Sequence, residues 1–397
     1  MHSKHDISVQ SNIATHQTHQ APNTTTHQTH DISVQSNIAT HQTHQASASS
    51  NATADPHEKE SSAATRGYPH PCAGTPRVPR GILVTGATTP AGIELIRSFL
   101  LEPHIERIIA VGAEKQVPML EPWLGKRLRY LCLDLTRERS LRQLLFGEVA
   151  QGGIDTVIHT ASHRWARHRG SKIHSLNVDA TRQLLQICEQ QPSIERFIYR
   201  GFGEVYDISA EYPLLIEEDH ALHWSPHTPQ WVRDRVEADM MVCMRMGMSR
   251  LQVVVLRCAE CVAPDTGSQL YDYLSSRVCF QPLGFDPMLN LLSLPDLTRA
   301  LFLAAHVQEQ GIFNIPGKDT LPLSAVIERS QRLHLYAPGP LVSWLYQARS
   351  WTRRNKDFRY DLNRERFHLS AILDGSRASL ILGYQPQHPI LWSDLFP

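Results

Sequence analysis

The chain has 397 residues with 39 basic and 39 acidic side chains, so its formal net charge is zero. A balanced charge gives no electrostatic pull towards nucleic acid or an anionic membrane, and neither is expected as a partner. The length suits one large domain of roughly 250–300 residues with something added.

Seven cysteines at irregular spacing do not make a disulfide framework. No apolar run reaches the roughly 18 residues of a membrane span, and the polar N-terminus lacks the apolar core of a secretory signal. A reduced, cytoplasmic setting is therefore expected. Cys258-Ala-Glu-Cys261 follows the apolar run LQVVVLR and reads as buried packing, so no metal site is expected.

The segment over residues 1–79 is rich in Thr, His, Gln, Ser and Asn. HDISVQSNIATHQTHQ at His5–Gln20 recurs unchanged at His30–Gln45, 25 residues further on. Such a composition buries too little apolar surface to offset the entropy of ordering, which predicts a disordered arm. Two copies are too few for a solenoid. The recurring His-x-x-His (His16/His19, His27/His30, His41/His44) suits a weak soft-metal trap, but a duplicated low-complexity tail is the simpler reading.

At Gly81 the pattern changes. Ile82–Thr85 is an apolar, β-branched run; Gly86 follows, and Ile93, Leu95, Ile96, Phe99 and Leu100 then recur at helical spacing. Strand, tight turn and helix are the context in which glycines cradle a phosphate. Gly86 permits the turn, Gly92 lets the helix pack close, and the helix N-terminus offers N–H groups to a pyrophosphate. Thr89 stands where another glycine would let backbone approach the phosphates, and Pro90 follows it. Further apolar runs predict strands in ERIIAVGA, LRYLCLDL, IDTVIHTA, IERFIYRG and LQVVVLR, with helical patterns such as NVDATRQLLQICEQ between them. The alternation predicts an α/β fold: a Rossmann-type doubly wound parallel sheet that binds at the carboxyl ends of its strands.

From about Gly81 to Leu395 the chain resembles the extended short-chain dehydrogenase/reductase superfamily, the NAD-dependent epimerase/dehydratase family. Its marks are TGATTPAG, CLDLT, VIHTAS, NVDATRQLL, GEVYD, LLSLPDLTRAL with Asp296 and GIFNIPG with Asn314, in that order. The resemblance implies an NAD(P)-binding domain over 80–262 and a smaller C-terminal substrate lobe over 263–397, interleaved with the last sheet strands. In that lobe PLVSWLYQARSWTRRNKDFRYD reads as an amphipathic helix. The resemblance also implies a cofactor, NAD or NADP, held by Gly86, Thr88, Thr89, Pro90, Ala91 and Gly92 of the turn. Asp134 and Leu135 match the adenine side, Thr160, Ala161 and Ser162 the nicotinamide half, and Asn177 and Arg235 complete the set. The acid that usually closes the second strand is replaced by Gly112; Glu114 two residues on is a poor substitute. Lys115 is the only nearby cation for a 2′-phosphate, so the reading leans to NAD. A small-molecule ligand such as a nucleotide sugar is implied, and a homodimer is compatible.

The family's chemistry uses a Tyr-x-x-x-Lys pair and a Ser or Thr after the fifth strand. Here those positions hold Trp231, Arg235 and Phe202, with Gly201 beside Phe202. The i, i+4 spacing still places Trp231 and Arg235 on one helix face. An indole N–H does not titrate in this range, so Trp231 cannot shuttle a proton. Arg235 stays charged and could still hold a ribose hydroxyl. The expectation is a cofactor-binding but catalytically degenerate protein, a sensor or scaffold. The alternative is an active oxidoreductase or epimerase with an atypical donor among His163, His168, His220, His223, His227, Tyr199 and Tyr206. A third outcome, no dinucleotide binding, follows if Thr89 and Pro90 spoil the turn.

Overall fold

The computed structural model describes residues 74–351 and 358–396. The repeat and its His-x-x-His pairs lie outside the described residues, as do 352–357 of the basic run.

Seven strands form the central sheet: β1 (Gly81–Thr85), β2 (Arg107–Gly112), β3 (Leu128–Cys132), β4 (Thr156–His159), β5 (Arg196–Phe202), β6 (Gln252–Cys258) and β7 (Gly311–Ile315). Their order is β3-β2-β1-β4-β5-β6-β7, every pairing parallel. The first six are the runs expected from sequence; β7 falls in the GIFNIPG stretch, which was read as a family mark and not as a strand. Side chains alternate between the two faces, so each strand feeds two cores. Ile82 and Val84 of β1 join Leu95, Ile96, Phe99, Leu297 and Leu301 on one face. Leu83 joins Leu184, Leu185, Ala238 and Val242 on the other. Helices Pro90–Leu101 and Leu294–Ala305 cover the first face. Helices Ala180–Gln190 and Gln230–Cys243 cover the second.

From β1 the chain goes outward to β2 and β3, then crosses back to β4. That reversal leaves a crevice at the carboxyl ends of β1 and β4, where an open α/β sheet binds its ligand.

After β6 the chain builds a lobe before β7 returns to the sheet. Met288–Leu292 pairs with Glu260–Cys261 and Asp319–Pro322, and Val278–Pro282 pairs with Leu333–Ala337. The expected amphipathic helix is Gly339–Trp351. Tyr273 anchors the lobe's core, its ring 5.1 Å from Phe358 and 5.0 Å from Phe367.

The chain docks on this unit before residue 79: Pro76 bridges Val307, and Arg77 Nη2 lies 3.0 Å from the Asp155 carboxylate. Among the described residues no helix is long and apolar enough to cross a membrane.

Candidate functional site

The turn after β1 is tightly constrained. Gly86 has φ +70°, and a Cβ there would meet Ala161 N at 2.8 Å, so only glycine fits. A Cβ on Gly92 would collide with the Gly86 carbonyl oxygen. Thr89 caps the helix: its hydroxyl donates to Gly86 O at 2.8 Å and accepts from Gly92 N at 3.1 Å. Pro90 brings no N–H. Thr89 therefore occupies one of the donors this helix end would otherwise present to an anion, and Pro90 removes another.

Around the turn, Thr160 is buried and its hydroxyl donates to Thr85 O at 2.7 Å, beside Ala161 and Ser162. Asn177 is buried too, and its side-chain oxygen accepts the His163 N–H at 2.8 Å, fixing the loop after β4. On the adenine side Leu135 is buried, while Asp134 is exposed and accepts from Thr136. The Thr136 hydroxyl and Arg137 hold the Asp134 carboxyl below its usual range. Beyond β2, the Glu114 carboxylate accepts from the Thr88 hydroxyl at 2.6 Å. Spacing along the strand made Glu114 a poor ribose acid, but the bend after Gly112 brings it back over the turn. Tyr130, donating to Glu114 O, helps to hold that bend.

The three altered positions meet in one cluster. The Arg235 guanidinium carbon lies 3.8 Å from the Phe202 ring centre and 3.7 Å from the Trp231 ring centre. Arg200, two residues before Phe202 on the same side of β5, lies 4.1 Å from the Phe202 ring. All four side chains are buried. Arg235 also pairs with Glu204, which reaches Arg366 at 3.3 Å, and Arg366 in turn pairs with Glu260 at 2.6 Å. Burial, with Arg200 nearby, pushes the Arg235 pKa well down. Burial alone would raise Glu260, but Arg366 and hydrogen bonds from Leu270 N and the Ser268 hydroxyl hold it below the usual carboxylate range. Arg235 was expected to face a ribose. Its guanidinium lies over two rings and pairs with a carboxylate.

The helix carrying Trp231 and Arg235 is itself pinned. Arg257 of β6 grips Asp239 at 2.6 Å, both buried, and His174 meets Asp234 at 3.1 Å.

Among the described residues, none of the candidate replacement donors hydrogen-bonds to this cluster. His163 Nε2 is 2.9 Å from His168 Nδ1, and burial, His168 and Arg164 lower the His163 pKa to about 4. His220 contacts Asp207 O at 2.8 Å. Tyr206 is buried, donating to Asn314 at 2.6 Å, and burial pushes its pKa up to about 12. Burial raises Tyr199 as well. His223 and His227 line a cleft of about 300 Å³ with Trp231, Thr228 and Glu365, between the helix and the lobe. A second, much smaller cleft of about 30 Å³ lies at the turn, lined by Thr89, Ala91, Thr160, Ser162, Arg164 and Arg200, with Asp265 closing it. The Arg164–Asp265 ion pair spans 3.0 Å. Arg200 and Arg164 were not expected here from sequence, although Arg200 shares β5's inward side with Phe202. Arg366 carried no sequence signal at all.

A parallel doubly wound sheet with a glycine turn at its reversal point defines the Rossmann class. Within it, the chain belongs to the NAD dependent epimerase/dehydratase family, which it matches over residues 82–278. An uncharacterized protein of Mycobacterium tuberculosis is 30% identical over 319 residues, covering 79% of this chain and 81% of that one. Among solved structures, UDP-glucose 4-epimerase from Thermotoga maritima with UDP-glucose superposes with a TM-score of 0.59 at 16% identity, covering 79% and 96% of the two chains. UDP-glucuronic acid 4-epimerase from Bacillus cereus in complex with NAD gives 0.58 at 17% identity, with the same coverage. At these identities the likeness is one of fold.

Proposed function

We propose that this protein binds NAD at the crevice between β1 and β4, reads a nucleotide-sugar-like ligand in the adjoining cleft, and does not turn it over. One observation carries the reading: Phe202, Trp231 and Arg235 occupy the positions of hydroxyl, phenol and ammonium as a single packed cluster. Bound NAD would supply hydride transfer. The protein's part in that chemistry is to move a proton at the substrate oxygen, and neither the indole nor the phenyl ring can do it.

The residues at the crevice fit an anionic dinucleotide in an altered way. Gly86 and Gly92 keep the close approach, whereas Thr89 and Pro90 reduce the N–H donors. Arg200 is a buried cation whose Nε lacks a partner, and it lines the same small cleft. A guanidinium there replaces, for a phosphate, part of what the helix end has lost. Glu114 beside Thr88 favours a ribose hydroxyl over a 2′-phosphate, which supports NAD over NADP. The fold-level likeness to a UDP-glucose epimerase and an NAD-bound UDP-glucuronic acid epimerase supports the ligand class.

Calorimetric titration of the full chain with NAD(H) and NADP(H), followed by turnover assays with UDP-glucose and UDP-glucuronic acid, tests this. The expected result is NAD binding, weaker NADP binding and no turnover. Robust turnover that is lost on changing His163 or His227 would overturn it, because the proton transfer would then have moved elsewhere.

A further inference from the structure

Asp207, His223 and Glu365 come from three separate segments: the loop after the short turn Gly203–Val205, the stretch before the Trp231 helix, and the turn Glu365–Phe367 in the lobe. One ligand atom from each lies within 4.8 Å of the others. His223 Nδ1 and Glu365 Oε2 are 3.7 Å apart. Ligands of a tetrahedral zinc at roughly 2.0–2.1 Å stand about 3.3 Å apart, so small rotations would bring the set onto one ion.

The backbone already fixes two of the three. Asp207 N donates to Ala221 O at 2.9 Å, and His223 N donates to Val205 O at 2.8 Å, on either side of the antiparallel bridge between Tyr206 and Leu222. Among the described residues, neither Asp207 nor Glu365 forms an ion pair with an arginine or lysine, although Arg364 and Arg366 line the same cleft as His223 and Glu365. Nearby Arg366 is committed to Glu204 and Glu260. Among the described residues, Glu365 has only His223 as an ionic partner. Two carboxylates and an imidazole without a cation between them match the oxygen and nitrogen preference of a first-row divalent ion.

We propose that Asp207, His223 and Glu365 bind a divalent cation of the zinc type, with a coordination position open to the roughly 300 Å³ cleft beside Trp231. Three protein ligands leave such a position free, and an oxygen of an anionic ligand in the cleft takes it. The site lies in no sequence motif, because its ligands are scattered between residues 207 and 365. It does not depend on dinucleotide binding.

The test uses the full chain, stripped with a chelator and titrated with zinc. The His-x-x-His pairs of the N-terminal repeat offer competing zinc ligands, so the readout is a difference. An ion bound to the native unit raises its melting temperature by mass action. Zinc should raise the melting temperature of the wild type, and the rise should vanish in His223→Ala. The exposed Glu365→Gln should lower the site's affinity by at least the roughly 10–100-fold that losing an outer-shell partner causes. Calorimetry should find one equivalent fewer in His223→Ala, whose folding is checked by circular dichroism. Equal zinc-induced shifts and equal stoichiometry in the wild type and both variants would overturn the proposal, as would zinc that leaves the wild-type melting temperature unchanged.

Discussion

Arg235 is buried without most of the hydrogen bonds a guanidinium can make: its Nη1 and Nη2 have no partner beyond the contact with Glu204. Two aromatic faces partly compensate, since a desolvated cation over a ring gains up to about 2 kcal/mol or more. Trp231→Ala removes one face and leaves a hole, so it should lower unfolding stability by roughly 3–5 kcal/mol in denaturant titration. At Thr89 the prediction concerns binding. Thr89→Gly frees the Gly92 N–H and should tighten NAD by roughly 1–2 kcal/mol; weaker binding would mean that the capped turn is the form the cofactor needs. A third prediction concerns acid. His159 is fully buried between Thr85 and Thr181, and burial lowers its pKa to about 4. In the unfolded chain it titrates near 6.5, so the unfolded state binds more protons between these values. Stability is therefore fully present above about 6.5 and falls as the pH drops towards 4. The slope of unfolding free energy against pH in that window should be flatter in His159→Gln.

At the scale of elements, the turn helix and the loop after β6 decide access to the crevice. Asp265 has φ +58°, a left-handed conformation that aspartate tolerates better than most residues, and Gly267 has φ +80°. These bends lay the loop against the segment after β4, where Asp265 meets Arg164 and closes the small cleft. A dinucleotide phosphate placed between Thr89 and Arg200 would meet the Arg164–Asp265 pair. Asp265→Ala removes the latch and should raise the NAD association rate measured by stopped flow. An unchanged rate would locate the barrier elsewhere. The Trp231 helix shows the opposite character, pinned by the buried Arg257–Asp239 pair, and it holds its aromatic cluster without an equivalent hinge.

Across the whole folded unit, the chain leaves the sheet after β6, builds most of the lobe and returns as β7 against β6. The lobe cannot separate while β7 stays paired, so near- and far-ultraviolet circular dichroism should report one coincident unfolding transition. Two arginines, Arg196 fully buried and Arg77 partly so, tie distant parts together. Arg196 donates to the carbonyls of Ala304, Gln308 and Glu309, joining β5 to the end of a helix. Arg77 meets Asp155, and both side chains are nearly buried. Removing one partner of such a pair strands the other, so Arg77→Ala should cost about 3–5 kcal/mol of stability.

The sheet was legible in the sequence because its causes are local. Ile82, Leu83 and Val84 alternate between two cores, Gly86 needs its positive φ, and Leu95, Ile96 and Phe99 follow helical spacing. The replacements at Phe202, Trp231 and Arg235 were legible for the same reason, since i, i+4 spacing sets a helix face whatever lies opposite it. What those side chains touch was settled only by tertiary structure. A strand and a helix joined by a long connection must meet before Arg235 finds Phe202. The curl after Gly112 had to close before Glu114 reached Thr88. Glu204, Arg366 and Glu260, and likewise Asp207, His223 and Glu365, converge from segments with no shared periodicity. Periodicity reports which way a side chain points from its own element; the partner it meets is fixed by packing between elements.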